Sequence, residues 1–252
     1  MNKLPQISFV FWVMKICATT LGETAGDLLS MTLNIGYAYS SILLVSIFLT
    51  TLVLQIKSTK YLPFLYWSVI LATSTAGTTM SDFMDRTLGL GYSKGSLILT
   101  LVAILIIWKQ LEKTISVTNI MSKRGELFYW SAILISNTLG TAMGDFLADD
   151  SGLGFMGGAF LISFMLILTV IVYYTTQISR VLLFWIAFIL TRPFGATFGD
   201  VLTKPLSHGG LNFGTIGSSL ILFIILIGLI FTQFRKNKFL PSEKIKLNNI
   251  FL

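Results

Sequence analysis

Residues 130–145 read WSAILISNTLGTAMGD, and the same pattern returns three more times without a gap: WVMKICATTLGETAGD at 12–27, WSVILATSTAGTTMSD at 67–82 and WIAFILTRPFGATFGD at 185–200. Three columns are identical in all four copies: the opening tryptophan (Trp12, Trp67, Trp130, Trp185), a glycine (Gly22, Gly77, Gly140, Gly195) and the closing aspartate (Asp27, Asp82, Asp145, Asp200). Successive aspartates stand 55, 63 and 55 residues apart, as expected of a unit duplicated twice with extra length where two halves join. A fixed internal period is read first because it decides the architecture.

The 252 residues around these copies are 54% hydrophobic and 12% charged, with mean hydropathy +0.81, against roughly 25% charged in a soluble domain. The chain therefore reads as an all-α integral membrane protein. A spanning helix needs about 20 mostly apolar residues, and candidates fall near 8–30, 38–56, 62–84, 93–109, 126–148, 156–178, 181–202 and 214–234. That gives about eight transmembrane helices built from four parallel two-helix repeats, the first helix of each pair carrying the motif. The expected organisation is a first half at 1–118, a second half at 119–234 and a basic cytoplasmic tail at 235–252. The excess of basic over acidic residues, 18 to 11, is explained by membrane orientation and calls for no nucleic acid; membrane lipid is the expected surrounding partner.

Placing both termini and the loops after helices two, four and six on one side collects 13 of the 18 lysines and arginines there. Arg86, Lys94 and Lys204 fall on the other side, and Lys15 and Arg192 inside helices. By the positive-inside rule both termini are cytoplasmic and the protein is multi-pass. Each motif tryptophan is then expected at the cytoplasmic interface. Each aspartate lies about 22 Å further along its helix at 1.5 Å per residue, in the outer half of the membrane. The glycine-rich segments after the aspartates read as tight turns. Lys3 and the apolar run after it imitate a leader, but no small-residue cleavage site follows, so none is expected.

Positions eight and four residues before each aspartate share its helix face. They read Thr19/Glu23/Asp27, Ser74/Thr78/Asp82, Asn137/Thr141/Asp145 and Arg192/Ala196/Asp200. Charged groups at membrane depth usually face a bundle interior or a hydrated cavity and mark ion pathways. Five carboxylates, the four aspartates and Glu23, against two intramembrane cations, Lys15 and Arg192, leave an anionic excess that asks for a cation. Asp27, Asp82, Asp145, Asp200, Glu23, Thr78, Thr141 and Asn137 are thus the candidate ion-binding residues, the four aspartates the candidate metal ligands, and Arg192 and Lys15 the residues that tune the charge. Hard oxygen donors suit Mg²⁺, Ca²⁺ or Mn²⁺, and H⁺ or Na⁺ also fit carboxylates. Copper or zinc would want histidine or cysteine, and His208 and Cys17 stand alone. Pro193 interrupts the fourth motif and is expected to kink it.

The Trp-initiated GxxxGD helix resembles a family of multi-pass bacterial inner-membrane proteins described only as uncharacterised membrane proteins, over nearly all of 8–234. That resemblance implies a fold of these repeats and a bacterial inner-membrane location. A weaker similarity links the acidic motif to cation/proton exchangers and manganese exporters with ExGD-type motifs, although Glu23-Thr24-Ala25-Gly26-Asp27 has an extra residue and the other copies lack the glutamate. The expectation is an inner-membrane transporter for a cation, foremost a divalent metal such as Mn²⁺. The alternatives are a channel-like pore, its motif helices ringing a pseudo-fourfold axis, and a scaffold or sensor that transports nothing. Neither enzymatic chemistry nor a cofactor is expected; the oligomeric state is open.

Overall fold

The computed structural model describes residues 5–92, 94 and 123–239, and everything described is helix or turn. In chain order the helices are α1 (Phe9–Asp27), α2 (Tyr37–Lys57), α3 (Pro63–Asp82), α4 (Lys123–Asp145), α5 (Gly154–Thr175), α6 (Arg180–Thr203) and α7 (Gly214–Phe239). The expected span at 93–109, the boundary near 118 and the end of the tail lie outside the described residues; α7 carries the chain as helix through Phe239.

Local chemistry sets several of these ends. Ser8 caps α1, its hydroxyl accepting from the Phe11 N–H at 3.3 Å, which satisfies one of the donors a helix start leaves open. Pro63 opens α3 where its missing N–H costs nothing. Asn34 and Gly36 before α2 both take positive φ, 55° and 83°, and a positive-φ pair two residues apart recurs in every repeat, ending with Asn212 and Gly214. The tight-turn reading of these segments therefore holds.

One feature was not foreseen. Directly after Asp27, Asp82 and Asp145 the helix widens into a five-residue π turn, Leu28–Thr32, Phe83–Thr87 and Phe146–Asp150. Their bonds reach back five residues, Leu33 N–H to the Leu28 carbonyl, Leu88 to Phe83 and Ser151 to Phe146, the i→i+5 geometry that defines such turns. Repeat four substitutes an inserted loop with a short 3₁₀ turn at Leu206–His208.

The motif helices α1, α3, α4 and α6 pack in a closed cycle, α1 on α3, α3 on α4, α4 on α6 and α6 on α1. Glycine makes each seam. A Cβ on Gly22 would run into Ser74; on Gly77 it would come within 2.9 Å of Asn137, on Gly140 within 2.5 Å of Arg192 and on Gly195 within 2.6 Å of Thr19. The invariant glycine of each repeat thus abuts the residue eight before the aspartate in the next repeat, and the fourth returns to the first. A second rung repeats this one turn on: Gly26 meets Thr78, Gly144 meets Ala196 and Gly199 meets Glu23. Close approach through small residues four apart is how helices pack in lipid, where no hydrophobic force pulls them together.

The three described second helices lie outside this ring, each on the motif helix of the following repeat: α2 on α3, α5 on α6 and, closing the cycle, α7 on α1. Their outer faces expose large apolar residues such as Ile42, Leu49, Phe160, Phe164, Leu220 and Ile224. Helices α2, α5, α6 and the Gly214–Arg235 part of α7 are long and apolar enough to cross a membrane, so this is a membrane protein. Helices α1, α3 and α4, at 19, 20 and 23 residues, have the length, but the polar stripe they turn into the ring lowers their hydropathy. Pro193 does not end α6, which runs unbroken from Arg180 to Thr203.

Candidate functional site

Because the four motif helices are cyclically equivalent, matching positions form layers across the ring. Sixteen residues before the aspartates stand Phe11, Tyr66, Tyr129 and Phe184, all aromatic. Beside them, Trp67 and Trp130 are fully buried, while Trp12 and Trp185 pack half-buried against the same core. The tryptophans are thus part of the packing of the bundle. Edge-to-face contacts such as Tyr66 with Trp67 at 5.4 Å and Tyr129 with Trp130 at 5.2 Å bind these rings to one another, a geometry aromatic quadrupoles favour. Gln233 on α7 accepts hydrogen bonds from the Tyr61 hydroxyl at 3.0 Å and from the Trp67 indole at 3.3 Å.

The next layer holds Lys15, Ile70, Ile133 and Phe188, all buried. The Lys15 ammonium lies 4.0 Å from the centre of the Phe188 ring, and its nitrogen has no hydrogen-bond partner among the described residues. Lys15 therefore stands apart from the carboxylates it was expected to tune.

Arg192 occupies the layer after that, and its guanidinium touches the other three motif helices. Nε donates to the Asn137 carbonyl at 3.2 Å and Nη1 to the Thr19 carbonyl at 3.1 Å. Nη2 donates to Glu23 Oε2 at 3.1 Å, to the Ser74 carbonyl at 3.4 Å and to the hydroxyls of Thr78 and Thr141. The planar fork of arginine suits such a hub, since it presents five donors in fixed directions. Thr78, Thr141 and Asn137, expected around an ion, are engaged by this side chain, which fills the centre of the ring.

The four aspartates form the last layer, each buried. Carboxylate oxygens of Glu23, Asp27 and Asp200 lie within 4.8 Å of one another; Asp82 and Asp145 belong to the same layer but not to that group. Two cations reach the layer from positions four residues past an aspartate. The Lys204 ammonium bridges Asp27 at 3.0 Å and Asp200 at 3.2 Å. Arg86 pairs with Asp82 at 3.2 Å and reaches Asp149 at 3.9 Å. Burial works against the charged form of Lys204, and the carboxylates of Asp200 and Asp27 outweigh it, raising its pKa. Asp145 is the exception: its Oδ2 has no hydrogen-bond partner among the described residues.

Arg86 and Lys204 were assigned to outer loops in the sequence, so the anionic excess was overstated. Among the described residues the five carboxylates, all taken as ionised, face three cations, Arg192, Arg86 and Lys204, and fall two charges short of balance. The signal was present, since Arg86 and Lys204 extend the four-residue spacing of the stripe by one step. Cys17 is buried, its thiol 3.3 Å from the Leu222 carbonyl, and His208 ends the short 3₁₀ turn of the inserted loop.

The model of one protein family, described as "Repeat of Unknown Function (DUF347)", matches this chain four times, at residues 10–61, 65–114, 128–179 and 183–239. The chain belongs to that family, and the matches coincide with the four repeats that the motif marks in the sequence. Neither a curated protein nor a solved structure matches it, so the weaker likeness to exchangers and manganese exporters rests on the acidic motif alone.

Proposed function

We propose that this member of the repeat family is a bacterial inner-membrane cation transporter, with eight spans and cytoplasmic termini, that moves a divalent metal such as Mn²⁺ through the aspartate layer. The observation that carries the reading is the charge deficit of that layer among the described residues: buried carboxylates two charges short of balance, one of them, Asp145, with an oxygen that has no hydrogen-bond partner among those residues. Desolvated charge persists only when paired or metal-bound, and a divalent cation offsets the deficit more fully than a monovalent one. Oxygen donors alone suit hard ions. Arg192 across the ring centre and the aromatic layer beyond it weigh against the channel-like pore, which needs an open axis. A carrier whose halves rock against each other at the α3–α4 and α6–α1 seams fits better.

Elemental mass spectrometry of cells lacking the protein, expressing it, or expressing Asp82→Asn/Asp145→Asn tests this. The expected result is a change in one divalent metal on expression that the double variant, at equal membrane abundance, fails to produce. An identical change with the variant overturns the site; no metal change with well-expressed protein overturns the transporter and favours the scaffold.

A further inference from the structure

We infer that Lys204 is a tethered cation that holds the Glu23/Asp27/Asp200 carboxylates in the absence of metal and leaves them when a divalent ion binds. This rests on the transporter reading and concerns how its site is emptied and refilled.

Three observations combine. First, the ammonium stands where a metal would: 3.0 Å from Asp27 and 3.2 Å from Asp200, two of the three residues whose oxygens converge within 4.8 Å. Oxygen ligands of Mg²⁺ or Ca²⁺ lie about 2.0–2.6 Å from the ion, so ion and ammonium exclude each other. Second, Lys204 has a way out. Its side chain is 22% exposed while those of Asp27 and Asp200 are 5% and 6% exposed, and it follows the last residue of α6, at the mouth of the ring. Its backbone is fixed independently of its side chain: the Lys204 N–H donates to the Asp200 carbonyl at 2.9 Å, its carbonyl accepts from Asn212 at 3.0 Å, and Gly210 packs on that carbonyl so closely that no Cβ would fit. The ammonium can swing while its anchor stays. Third, Asp145 in the same layer is buried, and its Oδ2 has no hydrogen-bond partner among the described residues, so the described cations leave the layer unsatisfied.

Charge then selects the ion. Glu23, Asp27 and Asp200 against Arg192 and Lys204 leave one net negative charge. A divalent ion that displaces Lys204 brings the group to neutrality, whereas a monovalent ion leaves it as it was. Repeat two holds its aspartate with arginine at the equivalent place, Arg86 Nε 3.2 Å from Asp82, and a weakly hydrated guanidinium gains less than a strongly hydrated ammonium by returning to water, which makes Arg86 the fixed clamp and Lys204 the exchanging one.

The test is Mn²⁺ binding to purified full-length protein in detergent, followed by the loss of the free-ion electron paramagnetic resonance signal, for wild type, Lys204→Met and Lys204→Gln. Removing an internal competitor should tighten binding by about tenfold or more in both variants, with Asp27→Asn abolishing it. As a check independent of any variant, Mn²⁺ should raise the labelling of Lys204 in wild type by an amine-reactive ester, measured by peptide mass spectrometry, and leave Lys57 unchanged. Wild-type binding with no tightening in folded variants and no gain in labelling overturns the lysine inference and leaves the transporter reading standing. Absence of Mn²⁺ binding in wild type and variants alike overturns both.

Discussion

The two ends of the four-helix ring are built on the same backbone plan and obey different rules. At the aromatic end the equivalent positions carry similar residues, four tryptophans beside two tyrosines and two phenylalanines, and the polar atoms Tyr61 Oη and Trp67 Nε1 are both satisfied by Gln233. At the acidic end the aspartates are identical but their ion-pair partners are not: Lys204 is shared by Asp27 and Asp200, Arg86 pairs with Asp82, and Asp145 Oδ2 has no hydrogen-bond partner among the described residues. Symmetry with satisfied partners is what packing alone requires. Symmetry of the carboxylates with asymmetry of their counter-charges is what a site requires.

That contrast is breakable at Arg192, where the two regions meet. Arg192→Met should destabilise the protein most, by about 3–5 kcal/mol, because it strands the buried Glu23 carboxylate without its partner; thermal unfolding in detergent measures this. Arg192→Met/Glu23→Gln should recover part of the loss, and no recovery would mean that the guanidinium acts through its carbonyl contacts instead. At the aromatic end Trp67→Ala should cost about 3–5 kcal/mol as a cavity in a fully buried core, with no specific effect on metal handling beyond reduced protein. The glycine seams lie between: Gly140→Ala, which meets Arg192 at 2.5 Å, should lose about 1–3 kcal/mol through overpacking, whereas Gly217→Ala on α7, with open space around it, should leave the melting temperature unchanged or slightly higher. The smallest effect on stability is expected at Asp145→Asn, which replaces a buried carboxylate whose Oδ2 has no hydrogen-bond partner among the described residues; it should fold at least as well as wild type while abolishing metal-dependent change in cells. A folding defect there would place Asp145 in the packing, and the distinction between the two ends would fail.

Much of this arrangement can be read from the residues. The columns of tryptophan, glycine and aspartate define four units, the stripe at four-residue spacing identifies the face that turns inward, and the helix bounds follow the apolar runs. The order of neighbours around the ring is not written in any one segment, because it depends on which helix each glycine meets: Gly195 looks like Gly22 in sequence and packs against a residue 176 positions earlier, Thr19. The burial of the tryptophans is not legible in the motif, because an amphipathic ring near a helix end satisfies the interface rule and the packing rule equally, and only the neighbouring aromatic layer shows that it is packed. Lys204 and Arg86 were misassigned because a lysine just past a helix end is ordinarily solvated, while here the winding continues far enough to bring both back over the aspartates. The π turns have no composition of their own to announce them.

The closing contacts of the ring join the first and last repeats, and this has a consequence for biosynthesis. Helix α1 carries Glu23 and Asp27, and the partners that neutralise them, Arg192 and Lys204, belong to α6 and the residue after it. Helix α1 therefore enters the lipid with charges whose partners lie some 170 residues further along the chain and are not yet made, and its outer cover, α7, is made later still. The newly inserted chain must wait, open along the α1 seam, for its own final repeat to shut it.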